Sequence, residues 1–98
     1  MSWSLLIKPA AENDLAQALA WYERQRERLG DQFLQSYEET LERIIQNPLI
    51  FADIHQGIRR AQFRKFPYGI FYVISGEQIA IIAVVHAKRH PRQWRKRR

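Results

Sequence analysis

The chain has 98 residues, with 16 lysines and arginines against 10 aspartates and glutamates, and no cysteine. This length allows one compact domain, and a hydrophobic content of 46% indicates a globular rather than a disordered chain. The absence of cysteine excludes a disulfide framework, a thiolate zinc site and a thiol nucleophile. We expect a cytoplasmic protein without a membrane anchor, because the first residues contain neither a signal peptide nor a long apolar run.

The charge is distributed unevenly along the chain. Residues 1–54 hold 5 basic and 9 acidic side chains, a net charge of −4, whereas residues 55–98 hold 11 basic side chains and 1 acid, a net charge of +10. Together they give the whole-chain charge of +6. Such asymmetry favours a surface that meets a polyanion or an acidic protein partner, although a solvated basic surface remains the alternative.

The first half of the chain predicts one strand and a helical hairpin. A short apolar run over residues 3–7 predicts a strand, and Pro9 then begins a helix. Gly30 is expected to end this helix in the left-handed conformation, and Asp31 to cap the next one, over about 32–46. Both helices carry apolar residues at helical spacing, namely Ala11, Leu15, Ala18, Leu19 and Tyr22 in the first and Phe33, Tyr37, Leu41, Ile44 and Ile45 in the second.

The second half predicts three strands after a loop over residues 48–57. Residues 58–66 alternate charged and apolar side chains, residues 68–74 lead into a tight turn, and residues 79–85 are apolar on both faces, which is typical of a covered central strand. The predicted fold is therefore α+β, in the order β-α-α-β-β-β, with a helical hairpin packed on a small, mostly antiparallel sheet. We expect one domain over residues 1–98, with a basic tail from about residue 88.

A series of short motifs follows this order over nearly the whole chain. The motifs are Ala11-x-x-Asp14-Leu15, Trp21-Tyr22-Glu23, Leu29-Gly30-x-x-Phe33, Asn47-Pro48, Gly57-Ile58-Arg59-Arg60, Arg64-Lys65-Phe66-Pro67-Tyr68, Phe71-Tyr72 and His86-Ala87-x-Arg89-His90-Pro91-x-x-Trp94. With these motifs the chain resembles the RelE/ParE superfamily, the small basic toxins of bacterial type II toxin–antitoxin systems. The resemblance implies the fold predicted above, no cofactor, and neutralisation by a cognate acidic, ParD-like antitoxin.

The two branches of this superfamily differ in their targets. RelE-like members cut mRNA in the ribosome, whereas ParE-like members are associated with inhibition of DNA gyrase. Gly69 follows Tyr68 where RelE-type nucleases carry an arginine, and Trp94 aligns with their C-terminal tyrosine although an indole cannot act as an acid or base. The Phe66-Pro67-Tyr68 string and the ending at Trp94 look more like the ParE branch, so a gyrase-directed toxin is the favoured interpretation.

Two groups of side chains are candidate interaction sites. We expect arginines and a tryptophan of the second half to bind the target, because arginine binds carboxylates and phosphates bidentately and tryptophan anchors interfaces. This target-binding set is Arg89, Arg92, Trp94, Arg60 and Arg64. The alternatives are that Trp94 folds back over the sheet and that the strand arginines form a solvated face. Trp21, Tyr22 and Tyr37 are expected to line a groove for an antitoxin helix, or to belong to the core.

Two other functions compete with gyrase inhibition. A ribosome-dependent mRNA endonuclease would use Arg60, His86 and Arg89 as its charged set, although His86 also suits a purely structural role. A non-toxic nucleic-acid-binding module rests on charge alone, because the basic residues are not interleaved with stacking aromatics. No metal is expected, since the three histidines have no acid at ligand spacing. Residues 95–98 are expected to form a disordered tail that gives only electrostatic attraction.

Overall fold

Two helices pack on one face of a five-stranded sheet, and a short third helix covers the other face. The computed structural model describes residues 2–98. The elements in chain order are β1 (Ser4–Ile7), α1 (Pro9–Gln25), α2 (Leu29–Gln46), β2 (Asp53–His55), β3 (Ile58–Gln62), β4 (Tyr68–Ser75), β5 (Gln78–His86) and α3 (Arg92–Arg95). The strand order is β1-β5-β4-β3-β2. The predicted α+β fold is therefore confirmed, with one additional strand and one additional helix.

The sheet is antiparallel except at one edge. Strand β1 pairs in parallel with β5, from Ser4 opposite Gln78 to Ile7 opposite Ile81. The other neighbouring strands are antiparallel. Because β1 and β5 run in the same direction, α1 follows β1 along the sheet and reaches the C-terminal end of β5. This placement decides which side chains of α1 can share a site with the end of the chain.

Strand β5 is buried on both faces, as its apolar sequence predicts. Ile79 and Ile81 pack with the helices in one apolar cluster, whereas Ile82 and Ala83 belong to a second cluster on the outer face of the sheet. Two consecutive residues face outward because β5 contains a β-bulge: Tyr72 of β4 pairs with Ile81 and Phe71 pairs with Ala83, which leaves Ile82 without a partner in the register.

The connection between α1 and α2 lies earlier in the chain than the sequence suggests. The prediction that Gly30 ends α1 and Asp31 caps α2 is wrong, because α2 already begins at Leu29 and Arg28 adopts the left-handed conformation with φ 71°. Gly30 instead permits a close approach of the helices, since a Cβ there would lie 3.2 Å from the carbonyl oxygen of Leu19. The Glu23 carboxylate joins the two helices by accepting hydrogen bonds from the N–H groups of Arg28 and Gly30, at 3.1 and 3.0 Å.

The segment between α2 and β3 is held by side chains of the sheet. The Tyr72 hydroxyl donates to the Pro48 carbonyl at 2.6 Å, and the Arg59 guanidinium donates to the carbonyls of Leu49 and Phe51 at 3.3 and 2.6 Å. The predicted loop over 48–57 therefore contains an ordered strand, β2, which pairs with the start of β3. Arg59 consequently serves this loop and is not part of a free basic face.

The hydrogen bond of Tyr72 generates a stability prediction. Burial raises the pKa of Tyr72 from 10.0 to about 12, with Arg59 acting in the opposite direction. Tyr72→Phe is expected to lower the free energy of unfolding at pH 7 by about 1–2 kcal/mol, because the Pro48 carbonyl loses its donor. Since the folded-state pKa is raised, the contribution of the phenol is complete below pH 10 and is lost as the pH rises toward about 12.

Urea unfolding at several pH values would measure both effects. The stability of the original chain should fall more steeply between pH 10 and 12 than that of Tyr72→Phe. Equal slopes for the two proteins would contradict the assignment of this alkaline loss to Tyr72.

Candidate functional site

A cleft of about 820 Å³ opens between α1 and the C-terminal end of β5. Its lining combines aromatic side chains, Trp21, Tyr22 and Tyr68, with cationic or titratable ones, Arg24, His86, Arg89 and Arg97. Trp21 and Tyr22, which were predicted to bind the antitoxin, therefore line the same cleft as Arg89, which was predicted to bind the target. We call this space the helix-side cleft.

The aromatic wall of the cleft follows from the periodicity of α1. Ala18 is buried on the sheet-facing stripe, and Tyr22, four residues later, continues that stripe and stacks on Phe33 with ring centroids 4.9 Å apart. Trp21 lies at the border of the stripe, contacts Tyr22 edge to face at 5.0 Å, and remains 49% exposed. Such an amphipathic side chain at a cleft rim is suited to anchoring a partner.

His86 and Tyr68 lie side by side at the floor of the cleft. They are opposite each other in the β4–β5 register, and their rings are 5.4 Å apart. The Nδ1 atom of His86 accepts a hydrogen bond from the Lys88 N–H at 3.0 Å, so Nε2 is the nitrogen left for an external contact. Burial raises the pKa of the Tyr68 phenol, with Arg89 lowering and Asp14 raising it, so this hydroxyl stays protonated and can donate at neutral pH.

The C-terminal segment brings two of the predicted target contacts to the surface and buries the third. Arg89 and Arg92 are exposed, whereas Trp94 is only 6% exposed and stacks on Phe71 with ring centroids 4.8 Å apart. Of the two alternatives for Trp94, the structure shows the one in which the indole folds back over the sheet. Trp94 therefore covers the outer apolar cluster and attaches the segment that carries the two exposed arginines to the sheet.

The two other residues predicted to bind the target, Arg60 and Arg64, lie outside the helix-side cleft. Arg60 lies opposite Phe71 on the outer face of the sheet, with its stem so close to Gly69 that a Cβ there would meet Arg60 Cγ at 3.2 Å. His86 faces the helix side, so the structure does not bring Arg60 together with His86 and Arg89, the set expected for a nuclease. Arg64 lines a different, shallower groove with acidic side chains of α2, Glu38, Glu39 and Glu42.

Tyr37 also lies apart from the cleft. Its side chain is 5% exposed and packs with Phe63 in the cluster between the helices and the sheet. Burial raises the pKa of its hydroxyl, and the charges of Glu12 and Glu38 add to that effect. Of the predicted antitoxin contacts, Trp21 and Tyr22 therefore line the helix-side cleft, and Tyr37 belongs to the core as the alternative had it.

Sequence reasoning missed an ion pair at the edge of the cleft. Asp14 binds the Arg97 guanidinium through both carboxylate oxygens and also accepts a hydrogen bond from the Val84 N–H at 3.0 Å. Arg97 is thus fixed, which differs from the disordered tail expected for residues 95–98. One signal was present: Asp14 falls three residues after Ala11 and four before Ala18, so a carboxylate interrupts the apolar stripe of α1.

The site carries no sign of metal or membrane chemistry in the part of the chain that is described. Residues 2–98 include no group of three or more histidine, aspartate or glutamate side chains arranged to hold a metal ion. Over the same residues, no helix is both long and apolar enough to cross a bilayer. The side chains that line the helix-side cleft offer hydrogen bonds, ion pairs and aromatic contacts to a partner.

A family model matches most of the sequence. Residues 5–91 match the model described as "ParE toxin of type II toxin-antitoxin system, parDE". The chain belongs to the ParE toxin family. It is a ParE-type toxin of a type II toxin–antitoxin system, as the sequence motifs suggested. The search of curated proteins gives no match.

Solved toxin–antitoxin structures share the fold. The chromosomal ParDE system from P. aeruginosa contains a chain of 18% identity, with 87% of this chain and 96% of that chain covered and a TM-score of 0.77. The RelBE2 complex from Mycobacterium tuberculosis gives 17% identity, 88% and 99% coverage and a TM-score of 0.57. The E. coli DinJ-YafQ complex gives 10% identity, 88% and 93% coverage and a TM-score of 0.60.

The burial of Trp94 predicts a stability effect that separates it from its arginine neighbours. Trp94→Ala is expected to lower the free energy of unfolding by about 3–5 kcal/mol, because it removes a large buried aromatic side chain from the outer cluster. Arg92→Ala, on the same short helix but exposed, should change it by less than about 0.5 kcal/mol. Chemical denaturation followed by circular dichroism measures both. Equal stabilities for the two variants would show that Trp94 is not a core residue.

Proposed function

We propose that this ParE-type toxin inhibits DNA gyrase and that an acidic segment of its antitoxin neutralises it by docking in the helix-side cleft. The observation that carries the proposal is the combination of the half-exposed Trp21 with Arg24, His86 and Arg89 in one cleft. An acidic segment that also presents a large apolar side chain matches this lining in both charge and shape.

Electrostatics supports an acidic partner at this place. Asp14 also lines the cleft, but its carboxylate is paired with the Arg97 guanidinium. Because the two charges offset each other, Asp14 repels an acidic antitoxin segment little. Arg24 comes from the acidic half of the chain and joins Arg89 from the basic half, so the cationic wall is built by both. Positive charges of this kind speed association with an acidic partner and fix its register.

For the target, we propose that Arg89 and Arg92 make the main contacts. Both side chains are exposed on a segment that Trp94 attaches to the sheet, and arginine suits bidentate contacts with carboxylates on a protein and with phosphates on DNA. Arg60, on the outer face of the sheet, extends the basic surface, whereas Arg64 lies beside acidic residues of α2 and contributes less.

Gyrase is favoured over mRNA as the target because Arg60 lies apart from His86 and Arg89, the other two residues expected for a nuclease. General acid–base cleavage needs its groups within hydrogen-bonding reach of one substrate position, and Arg60 faces the opposite side of the sheet from His86. Trp94, at the position where RelE-type nucleases carry a tyrosine, is buried and has no group that exchanges a proton. Inhibition of gyrase by binding requires no such catalytic group.

Antitoxin docking in the cleft predicts a large effect of Trp21. Trp21→Ala should weaken the affinity for the antitoxin encoded beside the gene by about 10- to 100-fold, since the half-exposed aromatic anchor of the cleft is lost. Leu49→Ala is the matched control, because Leu49 is a 61% exposed apolar residue outside the cleft. Isothermal titration calorimetry with the purified antitoxin measures both affinities. An unchanged affinity of Trp21→Ala would exclude the cleft as the docking site.

The choice of target is tested by two assays in parallel. The purified toxin should inhibit supercoiling by gyrase and leave translated mRNA intact in primer extension. Arg89→Ala and Arg92→Ala should each reduce the inhibition by about tenfold or more, whereas Arg26→Ala removes the same charge from an exposed position after α1 and should have little effect. Cleavage of mRNA at codons, with gyrase unaffected, would establish the endonuclease alternative instead.

A further inference from the structure

Strand β5 is longer than β1, the edge strand beside it, and continues past the point where β1 ends. The parallel pairing stops at Ile7, opposite Ile81, and the last backbone hydrogen bond runs from the Lys8 N–H to the Ile81 carbonyl at 2.9 Å. From there the chain turns into α1. The backbone groups of β5 from Ile82 onward therefore lie at an edge where β1 no longer supplies partners, although buried backbone groups need them.

Beyond the end of β1, the side chains of Asp14 and Arg97 supply hydrogen bonds to the backbone of β5. The Asp14 carboxylate accepts a hydrogen bond from the Val84 N–H at 3.0 Å, and the Arg97 guanidinium donates to the Ile82 carbonyl at 3.3 Å. The two side chains also bind each other through both carboxylate oxygens. One ion pair thus provides an acceptor and a donor to β5, as a continuing strand would.

This pair is better placed than an ordinary surface salt bridge. The side chains of Asp14 and Arg97 are 13% and 26% exposed, and the carboxylate is held by a backbone N–H as well as by the guanidinium. Partly buried, bidentate and charge-assisted hydrogen bonds are stronger than the exposed pairs that contribute little to stability. A contact of this kind can fix the position of a chain segment.

We propose that Asp14 is a positioning residue, which through Arg97 holds the C-terminal segment so that Arg89 and Arg92 are presented from a fixed backbone. The inference rests on the proposed function of these two arginines. The segment is attached at its start by the Ala87 N–H, which donates to the Pro67 carbonyl at 2.7 Å. Arg97 attaches its end, so both proposed contact residues lie between two fixed points.

Conservative variants distinguish the contribution of the ion pair from that of the hydrogen bond between Asp14 and the backbone of β5. Asp14→Asn keeps an oxygen that can accept from the Val84 N–H but loses the charge that binds Arg97, and Arg97→Gln removes the guanidinium. Lys96→Gln and Glu12→Gln are matched controls, because each removes the same charge from an exposed neighbour on the same segment or helix. If Asp14 and Arg97 act as a pair, the double variant should behave like either single variant.

Hydrogen exchange measures whether the segment is held. The N–H groups of residues 93–95 and 97 donate to carbonyls within the C-terminal segment, and their exchange should be about tenfold faster in Asp14→Asn and in Arg97→Gln than in the original chain. Exchange in α2 should not change, and the control variants should exchange like the original chain. Unchanged exchange in both test variants would overturn the proposal.

Growth arrest on expression measures whether positioning matters for the target. Arg97→Gln should reduce the potency of the toxin about tenfold, and Arg89→Ala should cost less in the Arg97→Gln background than in the original chain, because Arg89 is then already misplaced. Full, additive losses would overturn the proposal even if exchange accelerates. If the original chain causes no growth arrest, the proposed function fails, and hydrogen exchange still decides whether Asp14 holds the segment.

Discussion

The burial of strand β5 on both faces is the constraint on which the rest of the structure depends. A strand that is apolar on two sides needs a cover on each. The helices provide one cover, and the outer face receives α3 with Trp94 stacked on Phe71. The basic end of the chain is consequently part of the folded domain, and its exposed arginines project from a defined surface.

The sequence predicted the parts of the fold that local patterns control. The stripes of α1 and α2 and the continuous apolar run of β5 appear in the structure because each reflects burial of one element against its layer. Strand β2 was missed because it is only three residues long and depends on Arg59 and Tyr72 holding the preceding loop. The position of Trp94 could not be predicted, since a single tryptophan after a proline is compatible with both a core and an interface role.

In the candidate site, too, the sequence predicted single residues but not the contacts between distant parts of the chain. Trp21 and Arg89 were each singled out as interaction residues, but their meeting in one cleft depends on the parallel pairing of β1 with β5, which carries α1 to the end of β5. Asp14 and Arg97 are 83 residues apart, and no local pattern indicates a contact at such a separation. A carboxylate within an apolar helical stripe was the one feature of the sequence that marked it.

The β-bulge at Ile82 has a consequence for how this family can vary. Side chains alternate along a strand, so the extra residue reverses the alternation and places Val84 and His86 on the side of the helices. If the same residues paired with β4 without the bulge, with Ile82 opposite Phe71, the regular alternation would turn His86 to the outer face. The helix-side cleft would then lose its histidine although the composition of the chain had not changed, so relatives are best compared by the register of this strand.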